Sequence, residues 1–104
     1  MNQTNYTVFI EYTIEEKSWR EFEALATSIY DHIKHCGPIL DHSVLISNDQ
    51  PRLVLEIVKV ANLATVEHIR KRRKEPKMGI MGQLDAMIQG GLEGIRIWTF
   101  QQFR

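Results

Sequence analysis

Residues 38–60, PILDHSVLISNDQPRLVLEIVKV, contain two β-branched and leucine-rich runs on either side of Asn48-Asp49-Gln50-Pro51. A cluster of Asn, Asp and Pro favours turning over extension, so the stretch reads as two strands joined by a tight connection. In the second arm Leu53, Leu55 and Ile57 point one way and Val54, Val58 and Val60 the other, with Glu56 the one charge among them. Both faces of that arm are apolar and require cover. A helical pattern lies on each side of this hairpin and a further strand beyond each helix. The order is therefore strand, helix, hairpin, helix, strand.

At 104 residues the chain is expected to be one domain, residues 1–104, large enough for a modest core and too small for two. Thirteen Lys and Arg balance thirteen Asp and Glu, which argues against a protein built mainly to grip nucleic acid or an anionic membrane. The single cysteine, Cys36, cannot form an internal bridge, and the N-terminus lacks a basic start followed by an apolar run. A cytoplasmic, reducing setting is expected, without a membrane span.

Thr7 to Ile14 alternates Val8, Ile10, Tyr12 and Ile14 against Thr7, Phe9, Glu11 and Thr13, which predicts the first strand. Ser18 with Glu21 has the spacing of a capping box. From there Trp19, Phe22, Ala26, Ile29, Ile33 and Cys36 line one helical face until Gly37-Pro38 ends it. Asn62 is placed to cap a second helix carrying Leu63, Val66 and Ile69, broken by Pro76. A further helical piece over Ile80 to Gln89 stops at Gly90-Gly91. The last strand, Ile95 to Phe103, opposes Ile95, Ile97 and Thr99 to Arg96, Trp98 and Phe100.

Two helices on one face of a four-stranded antiparallel sheet, in order 4132, satisfy this sequence of elements: an α+β, ferredoxin-like βαββαβ fold. The face without helices would then show Phe9, Val54, Val58, Trp98 and Phe100 to water. Such a patch calls for a partner, and a second copy stacked sheet against sheet is the simplest one. A homodimer is therefore expected.

The order of elements, together with residues 61–91, ANLATVEHIRKRRKEPKMGIMGQLDAMIQGG, resembles the antibiotic-biosynthesis-monooxygenase-like branch of the dimeric α+β barrels. The matching features are a helix after the third strand with His68, a break at Pro76, and a second helix over Ile80 to Gln89 before a closing strand. The chain has Val58 and Lys59 where many of these proteins place a tryptophan, and Pro76 lies further from His68 than is usual for them. The resemblance implies a homodimer enclosing a cavity for a small apolar or aromatic molecule. It also implies a cofactor-independent monooxygenase acting on an aromatic or quinol-like compound, needing neither metal nor flavin. A non-catalytic ligand sensor or structural dimer would need the same fold. A haem-degrading relative would need a histidine where this chain has Met78 and Met81.

Among residues able to carry chemistry, Glu11, Glu56 and Arg96 come from strands one, three and four, and are expected together on the open sheet face. A carboxylate pair sharing one arginine would have one pKa raised and could move a proton of a phenolic substrate; it would equally make an interfacial ion-pair network. Trp98, Phe100 and Phe9 could stack on a flat ligand there, and His42 could face the same cavity. His68 is a further catalytic candidate, without the companions a metal site requires. His32 and His35 are read as surface or capping residues, and no metal is expected. The run Arg70-Lys71-Arg72-Arg73-Lys74 reads as a solvated helix end, where cations favour the backbone dipole.

Overall fold

Alternating polar and apolar residues set the first element. In the computed structural model, which describes residues 5–77 and 79–104, Tyr6–Thr13 form strand β1, with Val8, Ile10 and Tyr12 buried. Met78 lies outside the described residues. A 3-10 turn at Glu16–Ser18 leads into helix α1, Trp19–Lys34, whose buried stripe contains Phe22, Leu25, Ile29 and Ile33. The expected Ser18 capping box does not form. Ser18 is buried, makes no capping bond through its side chain, and has its backbone N–H on the Glu15 carbonyl at 3.0 Å, inside the 3-10 turn.

Gly37 ends the helical stretch with φ +139°, and a Cβ there would stand 2.6 Å from Thr65 Oγ1. Glycine therefore serves both the backbone conformation and the close approach of the second helix. Strands β2, Asp41–Ile46, and β3, Leu53–Val60, form the expected hairpin. Ser47 Oγ accepts from the N–H groups of Asp49 and Gln50, each at 3.0 Å, and holds the turn.

Helix α2, Leu63–Arg73, begins at Asn62, whose Oδ1 accepts from the Thr65 N–H at 2.9 Å. Helix α3, Met81–Met87, and a 3-10 turn at Gly91–Gly94 lead to strand β4, Arg96–Gln101. The sheet is antiparallel in order β2-β3-β1-β4, the 4132 order read from the opposite edge. The fold is ferredoxin-like α+β. Among the described residues no helix is long and apolar enough to cross a membrane.

The pairing corrects one expectation. Val8 pairs with Val58 and Tyr12 with Val54, so both valines lie on the helix side of the sheet, fully buried, and not on the open face. The open face carries Phe9, Leu55, Ile57, Trp98 and Phe100 instead. Cross-strand partners share a face, and a shift of one residue would exchange the two sets. Trp98 and Phe100 are 43% and 56% exposed.

The two proposed caps should respond differently to truncation. Asn62→Ala is expected to cost about 1 kcal/mol of unfolding free energy in urea, by loss of the first-turn bond. Ser18→Ala should cost less than about 0.5 kcal/mol, having no such bond to lose.

Candidate functional site

The open face has an apolar centre and a charged end. Thr7 pairs with Phe100, Phe9 with Trp98 and Glu11 with Arg96 across β1 and β4. These side chains and Leu55 line a groove of about 550 Å³, apart from Arg96, which stands at its charged end. The Phe9 and Phe100 rings meet edge to face, with centroids 5.4 Å apart. Five of the eight residues singled out from the sequence, Phe9, Glu11, Arg96, Trp98 and Phe100, are thus neighbours on one surface.

Glu56 does not join them. It pairs directly with Ile10, so its side chain lies on the helix side, where its exposure is 0%. Parity explains the discrepancy: Glu56 is in step with Val54 and Val58, all on the buried side, while Glu11 alternates with core residues on β1. Arg73 from the last turn of α2 grips Glu56 with two bonds, Nη1 to Oε2 at 2.7 Å and Nη2 to Oε1 at 2.6 Å. The Tyr12 hydroxyl donates to Oε2 at 2.6 Å, and His42 Nε2 stands 2.8 Å from Oε1.

Burial alone would push the Glu56 carboxyl up, but the Arg73 charge and the bonds from His42, Arg73 and Tyr12 hold it down at about 2. Burial and the adjacent carboxylate raise the Tyr12 hydroxyl well above its usual value. An ionised carboxylate can only accept, so His42 donates through Nε2–H. His42 pairs with Val58 on the helix side of the sheet, not in the groove with Phe9, and the Tyr30 ring packs 4.5 Å from its own.

His68 also stands apart. Its Nδ1 lies 3.1 Å from the Cys36 carbonyl and ties α2 to the end of α1, so the Nδ1–H is the donor. Glu11, Glu56 and Arg96, expected together, are therefore divided between the two sides of the sheet, and the separate candidate His68 stands with neither group. His32, expected at the surface, is 8% exposed, and burial followed by the charges of Arg73 and Arg72 lowers its pKa to about 4. His35 does have a local role, with Nδ1 2.7 Å from the Asp31 carbonyl.

The basic run is likewise not a solvated helix end. Besides Arg73, Arg70 Nη2 donates to Thr99 Oγ1 at 3.0 Å, and Lys74 Nζ donates to the carbonyls of Ile95 at 2.6 Å and Leu92 at 3.2 Å. Three of the five cations thus fasten this end of α2 to the sheet side: Arg73 to β3, Arg70 to β4 and Lys74 to the turn before it. Val66, Ile69 and Arg73 follow each other at steps of three and four, so Arg73 continues the buried stripe of its helix. That spacing, beside a glutamate among inward-facing valines, was the available signal for the pair.

Comparison with solved structures follows this geometry over almost the whole chain. SnoaB, a cofactor-independent oxygenase from Streptomyces nogalater, shares 14% identity over 96% of this chain and 94% of its own, with a TM-score of 0.68. An antibiotic biosynthesis monooxygenase is 10% identical over 95% of this chain and 97% of its own, TM-score 0.67. A protein of unknown function from Nitrosomonas europaea is 9% identical over 100% and 94%, TM-score 0.73. The chain has the fold of the dimeric α+β barrels. No family model and no curated protein sequence matches it.

At these identities the likeness is one of fold, and activity must be argued from side chains. Among the described residues no three His, Cys, Asp or Glu side chains gather as a metal site would require. Met81 is fully buried in the core, and Met78 lies outside the described residues.

Removing Arg73 should strand a buried carboxylate. Arg73→Met is expected to cost about 3–5 kcal/mol in denaturant unfolding, whereas Arg72→Gln should stay within about 0.5 kcal/mol. Glu56 has its folded pKa depressed from 4.5 to about 2, so its stabilisation is complete above 4.5 and is lost as pH falls toward 2. Urea unfolding across that window should show the wild type losing stability with acid more steeply than Glu56→Gln.

Proposed function

We propose that the protein is a homodimeric, small-molecule-binding α+β barrel, in which two copies stack their open sheet faces over the aromatic groove. The observation that carries this reading is the row Phe9, Trp98 and Phe100, left outside the helix-covered core and lining a groove with Leu55. A second copy would remove those rings from water, and two-fold association is the commonest way to do so. The groove suits a small, flat, largely apolar molecule, with Glu11 and Arg96 at its polar end. A cytoplasmic setting belongs to the same reading, supported by the single buried cysteine.

Its finer form is a cofactor-independent monooxygenase for a small aromatic or quinol-like compound. Glu11 would take the substrate's hydroxyl proton and Arg96 would hold the resulting anion, which reduces dioxygen with electrons from its own C–H bonds. One oxygen atom would enter the product and the other leave as water. The likeness of fold to SnoaB supports this form.

A second reading, ligand binding without catalysis, is favoured by the position of Glu56. A carboxylate pair that would raise one member's pKa is not formed, because Glu56 is bound by Arg73 on the other side of the sheet.

Light scattering at micromolar concentration is expected to give a dimer, and Trp98→Glu a monomer of near-native helix content. A wild-type monomer would sink the stacked-face reading. With a panel of phenols and quinols, oxygen uptake without added metal or flavin supports the oxygenase form. A rise in melting temperature without uptake supports the binding form, and neither response contradicts both.

A further inference from the structure

A second cavity, of about 340 Å³, lies between the C-terminal half of α1 and the chain joining α2 to α3. Ser28, Asp31 and His32 line it from α1, His35 from just past the end of that helix, Arg72 from the last turn of α2, and Gly79 from the joining segment. It shares no lining residue with the open-face groove.

His32 forms part of its wall, is 8% exposed, and has no hydrogen-bond partner at Nδ1 or Nε2 among the described residues. A buried donor or acceptor left unpaired costs about 1–3 kcal/mol, and such groups are few in folded proteins. A leucine would fill this helix position without that cost. Gly79 keeps the space beside the ring narrow and free of side chain: its φ is +52°, and a Cβ built on it would stand 3.5 Å from His32 Cδ2.

Arg72 differs from its neighbours in the basic run. Arg70, Arg73 and Lys74 all bond to protein groups, while Arg72 belongs to neither ion pair among the described residues and lines this cavity.

We propose that this cavity is a binding site for a small carboxylate, with Arg72 as its counter-charge and His32 and Ser28 as its hydrogen-bonding walls. One guanidinium beside neutral imidazole balances a single negative charge, and its planar fork matches the two oxygens of a carboxylate. A phosphate dianion would bring a second charge with no cation to meet it, near the acid Asp31 at the exposed rim. The site is independent of the dimer reading, since none of its residues lies on the open face.

The charged and titratable groups around His32 make its ring a reporter of occupancy. Burial, Arg73 and Arg72 lower its pKa to about 4, Glu56 on β3 acts in the opposite direction, and His35 on its own helix lowers it further. An anion bound at Arg72 offsets the cationic contribution, so the His32 titration midpoint should rise on binding.

The test is titration of the full-length protein with sodium acetate, sodium benzoate and inorganic phosphate, read by calorimetry and by the NMR signals of the His32 ring. Saturable binding of acetate or benzoate is expected, with an upward shift of the His32 midpoint and about a tenfold loss of affinity in Arg72→Gln. His32→Leu should abolish binding and melt above the wild type, because it removes an unpaired imidazole from the interior. Absence of saturable carboxylate binding up to about 100 mM overturns the site. So does binding that Arg72→Gln leaves unchanged, or a His32→Leu variant that melts below the wild type. Phosphate bound more tightly than either carboxylate overturns the ligand class.

Discussion

Glu56 and Arg73 face each other in the interior with no exposed surface on either side chain. Neither charge could be buried alone, since the desolvation of one ion in a protein costs several kcal/mol after relaxation. Together they are compensated, because Arg73 supplies two bonds and Tyr12 and His42 one each. Four elements thereby converge on one carboxylate: β1 through Tyr12, β2 through His42, β3 through Glu56 itself, and α2 through Arg73. An apolar pair of equal volume would serve stability as well, but it would not distinguish one register from another. Slipping β3 by a residue would bring Leu55 or Ile57 to the guanidinium, leaving that charge unmatched.

This pair also divides the sheet into two sides with different work. On the helix side Tyr12, His42 and Arg73 are drawn onto Glu56, and Arg70 and Lys74 fix the same helix to β4 and to the turn before it. The open side keeps its aromatic rings at the surface, with Glu11 and Arg96 facing one another outside the buried network. A groove able to accept another surface is consistent with that division, and a separate cavity lies at His32 beside the helices.

The elements were legible because they follow from local periodicity and punctuation. The hairpin is announced by Asn48 to Pro51, the second helix by Asn62, and the end of the first by Gly37. The strand order followed from the connections, and the alternation of β1 and β4 put Phe9, Trp98 and Phe100 on one face with Glu11 and Arg96, which pair across the strands. What was not legible depended on partners distant in sequence. Grouping Glu56 with Glu11 by charge set aside its place in step with Val54 and Val58. Reading Arg70 to Lys74 by composition missed that Arg73 continues the stripe of Val66 and Ile69 into the core. Ser18 and Glu21 have capping-box spacing, but the chain enters α1 through a 3-10 turn that the spacing does not reveal.

The central claim is that an ionised Glu56, held by Arg73, organises the helix side of the sheet. Titration of the Glu56 side-chain carboxyl carbon by NMR in selectively labelled protein tests it directly. The account predicts a carboxylate signal that persists as pH falls well below the ordinary 4.5, toward about 2, for as long as the chain stays folded. A midpoint at or above 4.5 in the folded protein would contradict it.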